Sequence, residues 1–206
     1  MSRAKYHSER RQEQAAATRQ AILDAARALF VERGYARTTV ADIAAAAHVA
    51  VPTVYVSVGP KPAILGELRT QIPRLAGVPG DVESALALAN DPLEVISGFV
   101  TVIRRLMETS GDLMSAIEAA APFEPVAAEA WEEGLVIHRL GWGMAVERLK
   151  VLGALRPTTD TKAADILSFL SLPATWRTLS RDHGWTHDEI EAWIVETAVS
   201  LVTESR

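Results

Sequence analysis

The sequence contains no cysteine among its 206 residues. This absence excludes disulfide bonds and thiolate metal sites, and it fits a reducing compartment. Aromatic residues make up only 6% of the chain, and no apolar run approaches the roughly 20 residues that a membrane-spanning helix needs. The N-terminus is polar and charged, so we expect neither a secretory signal nor a membrane partner. No clustered spacing of histidine and carboxylate side chains indicates a metal centre, and we expect no cofactor.

Charge is unevenly distributed along the chain. The net charge is −5, yet residues 1–70 contain 10 Lys and Arg against 6 Asp and Glu, whereas residues 71–206 contain 11 against 20. A basic first third on an acidic remainder is expected when only one domain contacts phosphate. Apolar residues recur at helical spacing throughout and no β-strand pattern is evident. The sequence therefore predicts an all-α fold of about nine helices.

Residues 38–61 have the pattern of two short helices joined by a tight turn. Thr39 and Asp42 have the spacing of a capping box, and the apolar positions after them recur at helical spacing. The pattern breaks after Ala47, and we expect a second helix to begin near Val51 or Pro52 because proline is tolerated in a first turn. This is a helix-turn-helix pattern, and the second helix of such motifs lies in the DNA major groove.

These residues and their neighbours resemble the DNA-binding domain of TetR-family transcriptional regulators. The resemblance spans Thr18 to Leu65 and depends on the shared positions Ile22, Leu23, Asp24, Ala25, Ala26, Leu29, Phe30, Gly34, Tyr35, Thr38, Thr39, Val40, Asp42, Ile43, Ala44, Ala47, Val49, Thr53, Val54, Tyr55, Gly59, Lys61 and Leu65. It implies an N-terminal three-helix DNA-binding domain, a fourth helix that transmits a switch, and a helical C-terminal domain that dimerises.

Candidate DNA contacts follow from the motif and the resemblance together. Arg37 precedes the cap of the motif's first helix, where a phosphate can meet both a guanidinium and a helix terminus. Tyr55 and Lys61 are phosphate contacts by resemblance. The complete set of DNA-binding candidates is Arg37, Thr38, Thr39, Val51, Pro52, Thr53, Tyr55, Ser57 and Lys61.

Two positions of the motif depart from the family pattern. Ala50 stands where a capping serine is usual, so one capping bond is missing. His48 stands where glycine is usual, at a turn that we expect to need a positive φ. The second helix also lacks Arg, Lys, Asn and Gln, which are the residues that make bidentate hydrogen bonds to guanine or adenine.

Local signals set the other helix boundaries. We expect the first helix to span Ala15–Arg33, because Gly34 suits the left-handed position that ends a helix. A fourth helix is expected from about Lys61 to Leu75. A later helix should begin at Asp91-Pro92 and end near Gly111, with another beginning at Asp112.

The helix predicted over 126–153 has a bulky stripe at spacings of 3 and 4, with His138 between two tryptophans. Such a stripe can line a cavity. It can equally be packed core around an inert, hydrogen-bonded histidine, and the sequence leaves both interpretations open. The candidates for contact with an apolar effector are Phe99, Ile103, Met107, Met114, Phe123, Trp131, Leu135, His138, Trp142 and Trp176.

The last two helices carry more apolar residues than a chain end needs. By the resemblance, they are expected to form an intermolecular bundle in a homodimer; the alternative is an intramolecular hairpin core. A two-fold dimer presents two recognition helices about one DNA turn apart, so the operator should be an imperfect palindrome. The dimer-interface candidates are Leu167, Leu170, Leu179, Ile190, Trp193, Ile194, Thr197 and Leu201.

The sequence is therefore interpreted as that of a cytoplasmic, homodimeric repressor that an apolar effector releases from a double-stranded DNA operator. The expected organisation is a flexible basic tail over 1–14, the helix-turn-helix domain over 15–60, a connecting helix and linker over 61–80, and a helical ligand-binding and dimerisation domain over 81–206. The alternatives are a ligand-independent dimeric DNA-binding protein and an all-α enzyme. We do not expect an enzyme, because no nucleophile–base pairing is visible.

Overall fold

The computed structural model describes residues 3–77 and 86–204, with side chains from residue 10 onward. Over these residues the fold is all-α, and the number of helices is close to the number predicted. The elements are α1 (Arg3–Arg33), α2 (Val40–Ala46), α3 (Val51–Ser57), α4 (Lys61–Leu75), α5 (Pro92–Ala120), α6 (Pro125–Val151), α7 (Asp160–Leu170), α8 (Pro173–Arg177), a π-helical turn (Thr178–Asp182) and α9 (His187–Val202). Residues 78–80 of the predicted linker lie outside the described part.

The chain divides into two compact units. The N-terminal unit comprises Met1–Gln71 and Ser115–Trp131, and the C-terminal unit comprises Ile72–Met114 and Glu132–Arg206. Across the described ranges, no single helix is long and apolar enough to cross a membrane, although the bent pair α2 and α3 meets that criterion by length and composition.

The core of the N-terminal unit is built where α1, α2 and α3 pack together. Its fully buried side chains come from the apolar faces that the sequence pattern predicts: Ile22, Leu23, Ala26, Phe30, Ile43, Ala44, Val54, Ile64 and Leu65. Gly34 ends α1 with a φ of +86°, as expected for a left-handed terminating residue. Helix α4 has the predicted bounds, Lys61–Leu75.

Helix α1 is longer than predicted. It begins at Arg3 rather than Ala15, so it includes most of the segment that we expected to be a flexible tail. The residues from 10 to 17 are all exposed, which means that packing does not hold this part of the helix. Its sequence has neither glycine nor proline and is rich in Arg, Gln, Glu and Ala, which favour helix in the absence of tertiary contacts.

Helix α5 corrects a second boundary. The predicted end near Gly111 and new start at Asp112 are wrong, because one helix runs from Pro92 to Ala120. Buried residues continue through this position at helical spacing, at Ser110, Leu113 and Ile117. A glycine inside a helix costs about 1 kcal/mol relative to alanine, and the burial of this continuous face offsets that cost.

The C-terminal unit is a helical bundle around a core that includes Val95, Ile96, Val100, Trp142, Leu149, Leu167, Trp176, Ile190 and Ile194. Helix α9 begins with a capping box that was not predicted from the sequence. Thr186 Oγ1 accepts from Glu189 N at 3.2 Å, and Glu189 Oε2 accepts from Thr186 N at 2.8 Å. Its end is held by an isolated β-bridge between Leu155 and Thr203. The Arg104 guanidinium on α5 contacts Glu191 on α9 at 2.7 Å.

Candidate DNA-binding surface and effector-binding core

Helices α2 and α3 have the geometry of a helix-turn-helix motif. Their axes differ by 98°, within the range of about 90–120° that such motifs show. The predicted capping box is present: Thr39 Oγ1 accepts from Asp42 N at 3.1 Å, and Asp42 Oδ2 accepts from Thr39 N at 2.9 Å. The Thr39 hydroxyl, which donates to Asp42 Oδ2 at 2.6 Å, and the Thr39 backbone N–H together hold the pKa of the Asp42 carboxyl below its usual value. The cap fixes where α2 begins.

The turn between the helices confirms both predicted departures. His48 has a φ of 56°, in the left-handed region that favours glycine. Ala50 is the N-cap of α3 and provides no side-chain hydrogen bond. The turn is closed by backbone bonds instead, from His48 N to Ala45 O at 3.2 Å and from Val49 N to Ala44 O at 2.9 Å.

Replacing Ala50 with serine should raise the free energy of unfolding by about 1 kcal/mol. Ala50 has a ψ of 148°, the extended conformation in which a serine hydroxyl can accept from the N–H of Thr53. Urea unfolding followed by circular dichroism measures the change. Ala45→Ser is the matched control, because Ala45 is an exposed interior position of α2 and should lose about 0.5 kcal/mol. Equal effects of the two substitutions would contradict the capping explanation.

The exposed face of α3 carries Val51, Pro52, Tyr55 and Val56. Val56 is 89% exposed, Tyr55 52% and Val51 37%, whereas Val54 is fully buried. Thr53 and Ser57 are partly buried at the edges of this face. The structure therefore exposes three of the predicted DNA contacts on α3, namely Val51, Pro52 and Tyr55, and Val56 is an exposed residue that the predicted set omitted.

Arg19 ties three helices of the N-terminal unit together. Its guanidinium donates to the backbone carbonyl of Ser57, the last residue of α3, and also pairs with the carboxylate of Glu67 on α4. A cation at the C-terminal end of a helix interacts favourably with the helix dipole. Arg19 thus fixes the end of α3 against α1 and α4, a role that no sequence motif indicated.

Lys61 already has partners within the protein. Its ammonium donates to the carbonyl of Tyr35 at 3.0 Å and lies 4.2 Å from the centre of the Tyr35 ring. Burial, together with the negative charge of Glu124, raises the pKa of Tyr35 to about 12. An ammonium has three donors, so Lys61 has donors beyond the one that Tyr35 accepts, and its contact with phosphate stays a prediction.

The DNA-binding candidates before α2 comprise two exposed residues, Arg37 and Thr39, and one buried residue, Thr38. Arg37 is exposed, and its Nε donates to Arg33 O at 2.6 Å. Thr38 is only 1% exposed, and its hydroxyl bonds the carbonyl of Gly34 at 3.0 Å. The prediction that the Thr38 side chain contacts DNA is therefore corrected: it closes the turn that follows α1.

His138 lies in a hydrogen-bonded network inside the C-terminal unit. Its Nδ1 is 3.0 Å from Ser168 Oγ and its Nε2 is 3.2 Å from Ser171 Oγ. Ser171 Oγ donates to Leu167 O at 2.9 Å and accepts from Trp142 Nε1 at 2.8 Å. Since the single hydroxyl proton of Ser171 goes to Leu167, His138 Nε2 carries a proton and donates to Ser171 Oγ. Burial lowers the pKa of His138 to about 4.

The predicted effector contacts are only partly brought together. Phe99 packs on Trp142 with ring centres 4.5 Å apart, and Ile103, Met107 and Trp176 belong to the same core. Phe123 is 81% exposed, so it is not part of a buried site. The remaining candidates are partly buried: Met114, Trp131, Leu135 and His138.

Gly141→Ala should lower the free energy of unfolding by about 1–3 kcal/mol, because a Cβ there would overlap the Phe99 ring, which is packed against Trp142. Gly143→Ala on the same helix is the matched control. Gly143 is exposed with no atom within reach of a new Cβ, so alanine should stabilise the helix by about 0.5–1 kcal/mol. Urea unfolding of both variants gives the two values, and equal signs would contradict this packing.

Trp176 contains a buried donor without an acceptor. The residue is 1% exposed, and in the described part of the chain its Nε1 is the one buried side-chain polar atom with no hydrogen-bond partner. Its ring centre lies 5.7 Å from that of His187, and the two rings are arranged edge to face. An unpaired buried N–H costs about 1–3 kcal/mol.

No group of three histidine or carboxylate side chains among the described residues could hold a metal ion.

Three of the predicted dimer-interface residues are core residues of the single chain. Leu167, Ile190 and Ile194 are fully buried, because α7 and α9 pack on each other and on the rest of the C-terminal unit. Of the other candidates, Leu201 is 47% exposed, and Leu170, Leu179, Trp193 and Thr197 are partly buried. Helices α6 and α7 expose the apolar side chains Val136, Ile137, Leu140, Ile166 and Phe169, and α6 also exposes Val151 at its end.

Comparisons with known proteins agree with this architecture. Residues 22–67 match the family model for bacterial regulatory proteins of the tetR family. A putative TetR-family transcriptional regulator from Mesorhizobium loti is 21% identical, covers 92% of this chain and 98% of its own, and has a TM-score of 0.65. No curated protein matches the chain.

Two further solved structures with this fold contain small molecules. A putative transcriptional regulator from Saccharomonospora viridis in complex with choline is 18% identical, with coverage of 91% and 98% and a TM-score of 0.73. The SmeT–triclosan complex is 22% identical, with coverage of 92% and 93% and a TM-score of 0.69. At these identities the likeness establishes the fold. The match over residues 22–67 shows that the N-terminal part of the chain contains a domain of the tetR family of bacterial regulatory proteins.

Proposed function

We propose that the chain is a repressor that binds a palindromic operator as a homodimer and leaves it when an apolar small molecule binds the C-terminal unit. The observation that carries the proposal is the α2–α3 motif, whose second helix exposes a face to solvent while Arg19 holds its end. The effector binds a conformation unsuited to the operator, so effector and DNA bind with negative coupling. A tenfold loss of operator affinity needs about 1.4 kcal/mol of such coupling. In this role the protein acts in the cytoplasm.

The side chains in the core of the C-terminal unit favour an effector that is apolar but carries a hydrogen-bond acceptor. Phe99, Met107 and Trp142 provide aromatic and polarisable surface, which suits flat or apolar molecules. The unpaired Nε1 of Trp176 supplies the donor that such a molecule would satisfy. The relatives solved with triclosan and with choline bind small molecules on the same fold.

The exposed apolar side chains of α6 and α7 support self-association. Burying them against a second copy would remove Phe169, which is 71% exposed, and Leu140, which is 63% exposed, from water. This revises the predicted interface by replacing the buried residues of α7 and α9 with their exposed neighbours. Two-fold pairing is the commonest symmetry of soluble homo-oligomers, and it would present two copies of α3 to a palindromic site.

The first test of the proposal is operator binding by fluorescence polarisation, using the full chain and DNA from immediately upstream of its own gene. Saturable binding by two protomers per site, with affinity that falls steeply as salt rises, is the expected result. A scrambled duplex of equal length and composition is the control. Equal affinity for both duplexes, repeated with sites selected from a random library, would contradict sequence-specific regulation.

The effector part is tested with triclosan as an apolar probe that carries acceptor oxygen. Triclosan is expected to raise the melting temperature and to weaken operator binding, since a ligand that binds the folded state stabilises it. Trp176→Phe should reduce both effects because it removes the indole donor together with part of the ring. Trp185→Phe, at a residue that is 37% exposed, is the matched control and should behave as wild type. Operator binding that no apolar compound weakens would contradict this part.

The dimer is tested by light scattering of a Phe169→Glu variant. A charge at this exposed position should leave the fold intact, as judged by circular dichroism, while shifting the mass from dimer to monomer. Val151→Glu is the control, at a residue that is 68% exposed near the end of α6. A wild-type protein that remains monomeric on its operator would contradict the dimer.

A second candidate is a DNA-binding protein that responds to no ligand, and the dense packing of the C-terminal unit is the observation that favours it. Trp142 is fully buried and Trp176 is 1% exposed, as expected of a core whose only task is to hold the fold. The titration with triclosan distinguishes the two candidates, because a ligand-independent protein would bind its operator equally in its presence.

A further inference from the structure

The exposed face of α3 has an unusual chemical composition for a surface that meets DNA. At about 100° per residue, Val51, Tyr55, Pro52 and Val56 form one continuous arc, with the fully buried Val54 on the opposite side. Val51, Pro52 and Val56 are aliphatic, and Val56 is 89% exposed. The arc contains one hydrogen-bonding group, the hydroxyl of Tyr55, and no charge.

This composition excludes the commonest means of reading bases. Guanine is recognised by two donors from Arg or Lys, and adenine by the paired donor and acceptor of Asn or Gln. None of these residue types occurs between Val51 and Ser57. An aliphatic side chain can instead contact the methyl group that thymine, alone among the four ordinary bases, displays in the major groove.

We propose that Val51, Pro52 and Val56 specify the operator by packing against thymine methyl groups, while Tyr55 contacts the phosphate backbone. The proposal rests on the regulator function proposed above and names the base chemistry that its DNA site recognises. Contacts to phosphate position a protein on DNA without reading sequence. The aliphatic arc of α3 therefore supplies the direct readout, and the operator should have A·T pairs where each copy of α3 enters the groove.

The contacts at both ends of α3 fix the positions of the side chains that we propose read the operator. The start of α3 follows the turn closed at His48 and Val49, and its last carbonyl is held by Arg19. A methyl contact requires close approach within a few tenths of an ångström, because dispersion attraction falls steeply with separation. A helix of seven residues that was free at both ends would not hold three side chains in such register.

The test begins with sites selected by the full-length chain from a random duplex library. The selected duplex is then synthesised with uracil in place of each thymine that lies in the half-sites, which removes a methyl and leaves the pairing unchanged. Affinity for the wild-type protein should fall by about fourfold for each contacted methyl. The same replacement in the flanking sequence is the control and should change little.

The protein side is tested with a Val51→Ala/Val56→Ala variant. If these valines make the contact, the variant binds the thymine duplex more weakly than wild type does, and the loss caused by uracil largely disappears. Val151→Ala is the matched control in the C-terminal unit and should keep the full loss. Tyr55→Phe should weaken binding to all sequences alike and keep the sensitivity to uracil.

The possible outcomes are distinguishable. Loss of affinity on uracil substitution that depends on the two valines supports the proposal. Specific binding that is unchanged by uracil and requires guanines instead would overturn it while leaving the regulator function intact. Binding that no selected sequence improves would overturn the regulator function, and the methyl readout with it.

Discussion

Replacing Trp142 with alanine is expected to lower the free energy of unfolding by about 3–5 kcal/mol. The indole is fully buried, packs on Phe99 with ring centres 4.5 Å apart, and donates to Ser171 Oγ at 2.8 Å. The substitution removes the packing and also leaves the Ser171 hydroxyl with one acceptor site unused. Because natural domains are stable by only about 5–15 kcal/mol, this one change removes a large share of the total.

Urea unfolding monitored by circular dichroism measures this loss. Phe123→Ala is the control, since it also removes an aromatic ring but from a position that is 81% exposed, and it should change stability by less than about 1 kcal/mol. Trp142→Phe removes the donor but keeps most of the packing, so its loss should be smaller than that of Trp142→Ala. A loss of similar size for the exposed and the buried ring would contradict the described core.

Acidification from pH 6.5 to pH 4 is expected to destabilise the fold by about 3 kcal/mol through His138 alone. Burial lowers its pKa to about 4 in the folded chain, whereas an unfolded histidine titrates near 6.5. Between these values the unfolded state binds a proton that the folded state does not. Stability contributed in this way is present above pH 6.5 and is lost progressively as pH falls towards 4.

The measurement is the free energy of unfolding at half-unit pH intervals for wild type and His138→Gln. The glutamine amide can bond Ser168 and Ser171 but does not titrate, so the variant curve should be flatter by the His138 contribution. Subtraction removes the carboxylates, which titrate equally in both proteins. Parallel curves between pH 6.5 and 4 would show that His138 is either protonated or solvent-exposed in the folded protein.

Features determined by neighbours in the chain could be predicted from the sequence. The cap at Thr39 follows from a hydroxyl and a carboxylate three residues apart, and the positive φ of His48 follows from its position in the turn. The bounds of α4 follow from the helical spacing of its apolar residues. These features also define the DNA-binding motif, because a helix-turn-helix is a short contiguous segment.

Features determined by tertiary packing could not be predicted in the same way. Gly111 indicates a helix end locally, but the buried side chains on both sides of it carry α5 through that position. Leu167, Ile190 and Ile194 have the same pattern whether a helix packs within one chain or between two, since periodicity does not say which surface covers a face. Arg19 lies 38 residues before Ser57, and no local rule connects them.

The bonds of Arg19 affect how a mutational scan of this protein would be interpreted. A screen for lost operator binding identifies every position whose substitution weakens the complex. It does not distinguish a residue that contacts DNA from a residue that only positions the DNA-contacting residues. Arg19→Ala would free the last turn of α3 and would therefore score like a contact residue although its guanidinium is directed at Ser57 and Glu67. Footprints of the phosphate backbone, which report proximity, would separate the two classes.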